Sequence, residues 1–297
     1  MCRDLPPIEP RSPTWDSPRV RNICGLVVWI LISCGRQEAP AVLASSAHSG
    51  ISDEATKLQT ACDANVAKSC VELGIRYSEG DGVPKDQSKA VALAQRGCDG
   101  GAQVGCLNLA MFYHQGMGVP VNVGRAKDLW QAACEAGEGR GCYRLGGLHD
   151  DGEGVTEDAT LAAQLYQRGC LLGAPEACTA MAICYADGRG ITKDIQRAVA
   201  LYHVGCDGGD QIGCVNLGVM YQRGAVVPKD AARAASLFQA ACDENNALGC
   251  TNLADLYSRG EGVERDLVRA EQLHQRGCAL GAKSGGAACT DAPSQSK

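Results

Sequence analysis

Aromatic side chains are scarce in this chain. They make up 4% of its 297 residues, with two phenylalanines, so small residues must do much of the packing. Basic runs are absent, and the formal charge is -6. That argues against nucleic acid as a partner, because phosphate binding needs clustered Lys and Arg. The five histidines (His48, His114, His149, His203, His274) lie far apart, and no two have helical metal-ligand spacing. No metal and no cofactor is therefore expected. The longest apolar run, residues 23–33, is too short to span a bilayer as a stable helix. What the chain has in excess is cysteine, eighteen in all, too many for a reduced cytosol.

The apolar run suits the hydrophobic part of a signal peptide, with Arg19 and Arg21 as its positive flank. It ends Leu31-Ile32-Ser33-Cys34, which resembles a bacterial lipobox; Cys34 is then the lipidated residue. The alternative, cleavage near Ala44 or Ala47, lies more than ten residues beyond the run. The expected layout is a signal peptide at 1–33, a flexible tether rich in Ala, Ser, Pro and Gly at 34–51, a repeat domain at 52–290 and a polar tail at 291–297.

Seven cysteines recur every 36 residues: Cys62, Cys98, Cys134, Cys170, Cys206, Cys242 and Cys278. Six have a partner eight residues on, namely Cys70, Cys106, Cys142, Cys178, Cys214 and Cys250. The seventh partner, Cys289, comes three residues late. A fixed period overrides the ordinary prior of two globular domains.

Other positions keep the same beat. Three residues after the second cysteine stand Leu73, Leu109, Leu145, Met181, Leu217 and Leu253. A Gly or Ala follows, and seven after the cysteine stand Tyr77, Tyr113, His149, Tyr185, Tyr221 and Tyr257. Spacings of three, four and seven mark one face of a helix, here helix A. It should stop at Gly80, Gly116, Gly152, Gly188, Gly224 or Gly260, since Gly tolerates the left-handed conformation that ends a helix. Next come Asp86, Asn122, Asp158, Asp194, Asp230 and Asp266, suited to cap the start of a second helix, B. Helix B carries Ala at one fixed place (Ala90 to Ala270) and Leu three residues on, then runs into the next first cysteine. Residues 52–62 read as an orphan helix B, so the order is B followed by six A–B pairs.

One such hairpin has too small an apolar face to stand alone, and stacking buries it. The expected fold is all-α: a right-handed superhelical α-solenoid of about six 36-residue repeats, its concave surface lined mainly by helix A. In this register each cysteine pair joins the end of one helix B to the start of the next helix A. Disulfides Cys62–Cys70, Cys98–Cys106, Cys134–Cys142, Cys170–Cys178, Cys206–Cys214, Cys242–Cys250 and Cys278–Cys289 follow. Metal binding fits less well, because tetrahedral zinc needs four ligands and no His accompanies the pairs. Cys2 and Cys24 leave with the signal. Cys184 alone lacks a partner, at a place otherwise mostly apolar, so a buried, inert thiol is expected.

The pattern Leu-Gly/Ala-x-x-Tyr, Gly-x-Gly-Val, Asp and Lys/Arg-Ala resembles the Sel-one-like repeat family, a relative of tetratricopeptide repeats, over residues 52–280. The cysteine pairs resemble its secreted, cysteine-rich bacterial subgroup, the Hcp-type proteins. Departures are Val226 at a turn glycine, His149 for Tyr, and the last unit. The resemblance implies adaptor or scaffold work on protein or peptide partners, in the periplasm or at the outer membrane, by a monomer touching the membrane only through its lipid. In tetratricopeptide relatives the place two residues after the second cysteine faces the groove. Here it holds Asn108, Arg144, Asn216 and Asn252, with His114 and Gln222 further along. An Asn amide can both donate to and accept from a peptide backbone; simple solvation of these residues is the competing reading. Some Hcp-type members carry a β-lactamase label, which sets weak β-lactam hydrolysis as the alternative. The needed Ser-x-x-Lys occurs only at Ser294–Lys297, in the polar tail, and no catalytic residue is assigned.

Overall fold

The computed structural model describes residues 51–224 and 226–283. The expected signal peptide, Cys34, Cys289 and Ser294–Lys297 lie outside the described residues.

Within them the chain forms thirteen helices and no strand, in the order B, then six A–B pairs. The orphan B is α1 (Asp53–Asp63). The A helices are α2 (Ala67–Glu79), α4 (Gln103–Gln115), α6 (Gly139–Asp151), α8 (Pro175–Asp187), α10 (Gln211–Arg223) and α12 (Ala247–Arg259). The B helices that follow them are α3 (Gln87–Asp99), α5 (Val123–Glu135), α7 (Ala159–Leu171), α9 (Ile195–Asp207), α11 (Ala231–Asp243) and α13 (Leu267–Lys283).

The caps fall where the sequence placed them. Asp86, Asn122, Asp158, Asp194, Asp230 and Asp266 each accept, at 2.9–3.0 Å, from the backbone N–H three residues on. This satisfies one of the free donors at each helix start. Every A helix ends on its expected glycine in the left-handed region, from φ 84° at Gly80 to 68° at Gly260. The B-to-A joints are three-residue turns, and their middle residue is also left-handed: Asn65, Gly101, Gly137, Gly173, Gly209 and Asn245.

Packing follows the repeat. Ala90, Ala126, Ala162, Ala198 and Ala234 are fully buried, as are Leu73, Leu109, Leu217 and Leu253 to within 2%. The small residue next to that Leu admits helix B closely: a Cβ on Gly146 would stand 2.7 Å from Tyr166 Cε1. The buried residues form three clusters rather than one. The first runs from α1 to α4, the second from α4 to α6, and the third from α7 to α13.

Six disulfides, Cys62–Cys70 through Cys242–Cys250, close the joints, with Cα atoms 4.5–4.7 Å apart. Each joins consecutive cysteines of the chain. Cys278 is also disulfide-bonded. Helix α13 differs from its fellows, running 17 residues where α3 runs 13. Where α3 turns at Gly100-Gly101, α13 continues through Ala279 and Leu280, both strong helix formers.

Candidate protein-binding face

Successive A helices touch one another (α2 with α4, α6 with α8, α8 with α10, α10 with α12), while the strongest contacts of each B helix are to its flanking A helices. The A helices thus crowd together along one side. A side chain that stands on their outward face has its counterparts one repeat away as neighbours.

Asn108 (α4), Asn216 (α10) and Asn252 (α12) stand at the same helical place, two residues after the second cysteine, and all three are half-buried. Their amides make no hydrogen bond among the described residues. Arg144 (α6) is exposed and lies over the Tyr143 ring, 5.4 Å from its centroid. One turn on from the Asn place stand Ile75, Met111, Ile183 and Val219, with Ile75 38% and Ile183 37% exposed. Residues three apart on a helix are neighbours, so α4 and α10 set an Asn beside an apolar side chain, whereas α6 has Gly147, α8 Ala180 and α12 Asp255 at one of the two places. Ile75 and Ile183 were legible in the repeat as the apolar residues at the place of Met111 and Val219.

His114 reaches the next repeat. Its Nε2 is 2.9 Å from Glu153 Oε2 of the next repeat, and its ring lies 5.2 Å from that of Trp130. One repeat on, Asp150 meets Arg189 in the same way, at 3.1 Å. This helix-A place ties neighbouring repeats together, and Gln222, half-buried, occupies it in α10.

His149, at the Tyr place, is half-buried. Cys184 is a free, buried thiol, and burial pushes it up to about 11. No group of His, Cys, Asp and Glu among the described residues could hold a metal ion. No described helix is long and apolar enough to cross a membrane. The two best-formed surface depressions, of about 450 and 260 Å³, lie against α13 and beside the joint turns around Leu172, away from the Asn row.

The Sel1 repeat family model matches six stretches: residues 67–101, 103–138, 139–173, 175–210, 212–246 and 247–281. Among solved structures, the chain resembles a Sel1 repeat protein from Oxalobacter formigenes, with 26% identity and a TM-score of 0.64 over 78% of this chain and 99% of that one. It also resembles c5321, a protective antigen of uropathogenic Escherichia coli with an SLR fold, at 26% identity and a TM-score of 0.60 over 79% of this chain. The chain spans 53% of that protein's length. Cysteine-rich protein B of Helicobacter pylori is 28% identical over 44% of this chain and 93% of its own, with a TM-score of 0.37. No curated protein matches the sequence. Six matches in unbroken succession, each spanning one A–B pair, show that the chain belongs to the Sel1 repeat family.

Proposed function

We propose that the protein is a non-catalytic scaffold of the bacterial cell envelope that holds an extended peptide or protein segment against its A-helix face. Sel1 repeats are generally protein-interaction modules, and six disulfides point to an oxidising, extracytoplasmic compartment. The observation that carries the binding reading is the Asn row. Three half-buried amides with no partner among the described residues recur at one place in the repeat, two of them beside an apolar side chain, Met111 and Val219. A backbone laid across them would find paired donors and acceptors, with apolar sockets between.

The test replaces Asn108, Asn216 and Asn252 together by Ala. Capture of peptides from a random phage-displayed library should be lost, while the helical circular dichroism and Tm stay unchanged. Undiminished capture would remove the groove from the proposal. Membrane attachment through Cys34 is tested separately: Cys34→Ser should release the protein into the soluble envelope fraction, and a variant still held in the membrane would sink it.

A further inference from the structure

Where each A helix turns into its B helix, the charge of the turn changes sign along the chain. The third turn, 151–161, holds Asp151, Glu153, Glu157 and Asp158 and no cation. The fourth and fifth turns, 187–197 and 223–233, hold six cations against three carboxylates. These two turns are neighbours, because α8 and α10 are in contact. The repeat thus gathers cations that form no run in the sequence.

Two of the three carboxylates are occupied. Asp194 and Asp230 cap α9 and α11, and Asp194 also meets Arg197 at 3.3 Å. The third, Asp187, is exposed. Of the six cations, Arg189 turns back to Asp150 and Glu157. Arg197 and Arg233 are exposed and lie over Tyr185 and Tyr221, 5.7 and 4.7 Å from the ring centroids. Lys193, Arg223 and Lys229 are exposed, and their side chains make no ion pair or hydrogen bond among the described residues.

The fold gains nothing from two of these. Lys193 and Lys229 stand just before the caps of α9 and α11, at the positive ends of those helices, where a cation is disfavoured. A local rule broken without a compensating contact marks a place where function is to be sought. Each Lys is also held beside the end of its A helix. A Cβ on Gly188 would stand 3.3 Å from Lys193 Cβ, and one on Gly224 2.8 Å from Lys229 Cβ.

The cations continue the Asn place. Arg223 ends α10, four residues after Val219 and seven after Asn216, and so shares their helical face. At the same place α2, α6 and α8 end in Glu79, Asp151 and Asp187. Beside Arg223 in the chain, Val226 is 38% exposed where the neighbouring turns have the left-handed Gly190 and Gly262.

We propose that the turns after α8 and α10 receive an acidic stretch, Asp or Glu, of the segment held on the A-helix face. This rests on the groove reading above. The sign change limits the partner's size. An anionic bilayer laid along the turns would also meet the four carboxylates of the third turn, whereas a short acidic stretch need not. Charges of this kind set partner choice and association rate, and salt weakens them.

The probe is a random dodecapeptide phage library panned on the oxidised full-length protein. Enriched peptides should carry Asp or Glu clustered toward one end. A synthetic copy should bind the triple variant Lys193→Gln, Arg223→Gln, Lys229→Gln about tenfold more weakly than the wild type, the combined effect of three exposed ion pairs. The difference should shrink in about 0.5 M sodium chloride. Replacing the peptide's acids by their amides should cause the same loss, with no further loss on the triple variant. The three side chains contact nothing, so the variant should keep the wild-type Tm. A control with Lys57→Gln, Lys127→Gln and Arg168→Gln, of equal net charge, should bind as the wild type does. Equal binding by wild type and triple variant, or an equal loss in the control, would overturn the proposal. So would sedimentation with phosphatidylglycerol vesicles that needs the same three cations while peptides show no acidic preference. If the triple Asn variant loses binding and the triple cation variant does not, the groove stands and the acidic stretch falls. The reverse result keeps the cationic surface and removes the groove. A library that yields no enriched peptide overturns both.

Discussion

The Arg125 guanidinium lies over the Tyr113 ring, 5.1 Å from its centroid, and donates from Nη1 to the Tyr113 hydroxyl at 2.6 Å. Four other repeats pair a cation with the same Tyr: Lys89 with Tyr77, Arg197 with Tyr185, Arg233 with Tyr221 and Arg269 with Tyr257. In the third repeat both partners change together, to His149 and Leu161. The cation and the ring thus behave as one unit that clips the start of helix B to its helix A. Restoring both, with His149→Tyr and Leu161→Arg, should stabilise the protein by about 0.5–1 kcal/mol more than the two single changes add up to. Urea denaturation of the four proteins measures that coupling; strict additivity would show that the pair is incidental.

Each joint disulfide closes a nine-residue ring, counted from Cys98 through Cys106. Replacing Cys98 and Cys106 together by Ala should cost about 2.5 kcal/mol through the freed unfolded chain. Because each repeat contacts mainly its neighbours, helix content should hold and only the denaturation midpoint should move. A loss of most helical signal in buffer would contradict this.

Two left-handed glycines separate backbone strain from crowding. Gly101 has φ 85° and open space where a Cβ would go, whereas a Cβ on Gly118, φ 74°, would stand 2.5 Å from the Gln87 carbonyl oxygen. Gly101→Ala should cost about 1–2 kcal/mol, the left-handed penalty alone. Gly118→Ala should cost about 1–3 kcal/mol more, because backbone must move. Equal midpoints for the two variants would disprove the distinction.

His203, half-buried in α9, has Nε2 at 3.2 Å from the Tyr221 hydroxyl. Burial, and then the Arg233 charge, hold it below its ordinary value of 6.5. The folded state therefore takes up this proton less readily than the unfolded chain. The stability this group contributes is present above 6.5 and is lost as pH falls through the lower folded value. In His203→Gln the fall of Tm on acidification below that point should be shallower than in the wild type. An unchanged slope would assign the acid sensitivity to other groups.

Cys184 is buried, and its thiol is pushed up to about 11. A thiol-disulfide reagent at mildly alkaline pH should leave it unmodified in the native protein and modify it after denaturation. Fast labelling of the native state would show that α8 opens.

The repeat register, the caps and the disulfide pairing were legible because each is repeated. Asp86 alone is a weak signal, but six capping residues at one offset are not. The partner of His114 was not legible, for the opposite reason. Its engagement with Glu153 depends on a loop 39 residues away that no helical periodicity reports.

The pairing of consecutive cysteines bears on how the molecule is made. The right partner lies eight residues away, while the wrong neighbour, from Cys70 to Cys98, lies 28 away; the exception is Cys184, six residues after Cys178, which emerges after Cys170 and Cys178 have met. Loop-closure statistics alone favour the shorter ring about sixfold in the unfolded chain. A chain delivered N-terminus first presents each correct pair to an oxidant before the next cysteine emerges. Among the six described bridges none encloses another, so none of these must wait for, or be undone by, a later one. The protein can thus be oxidised in the order in which it is threaded, and shuffling of mispaired bonds has little to correct.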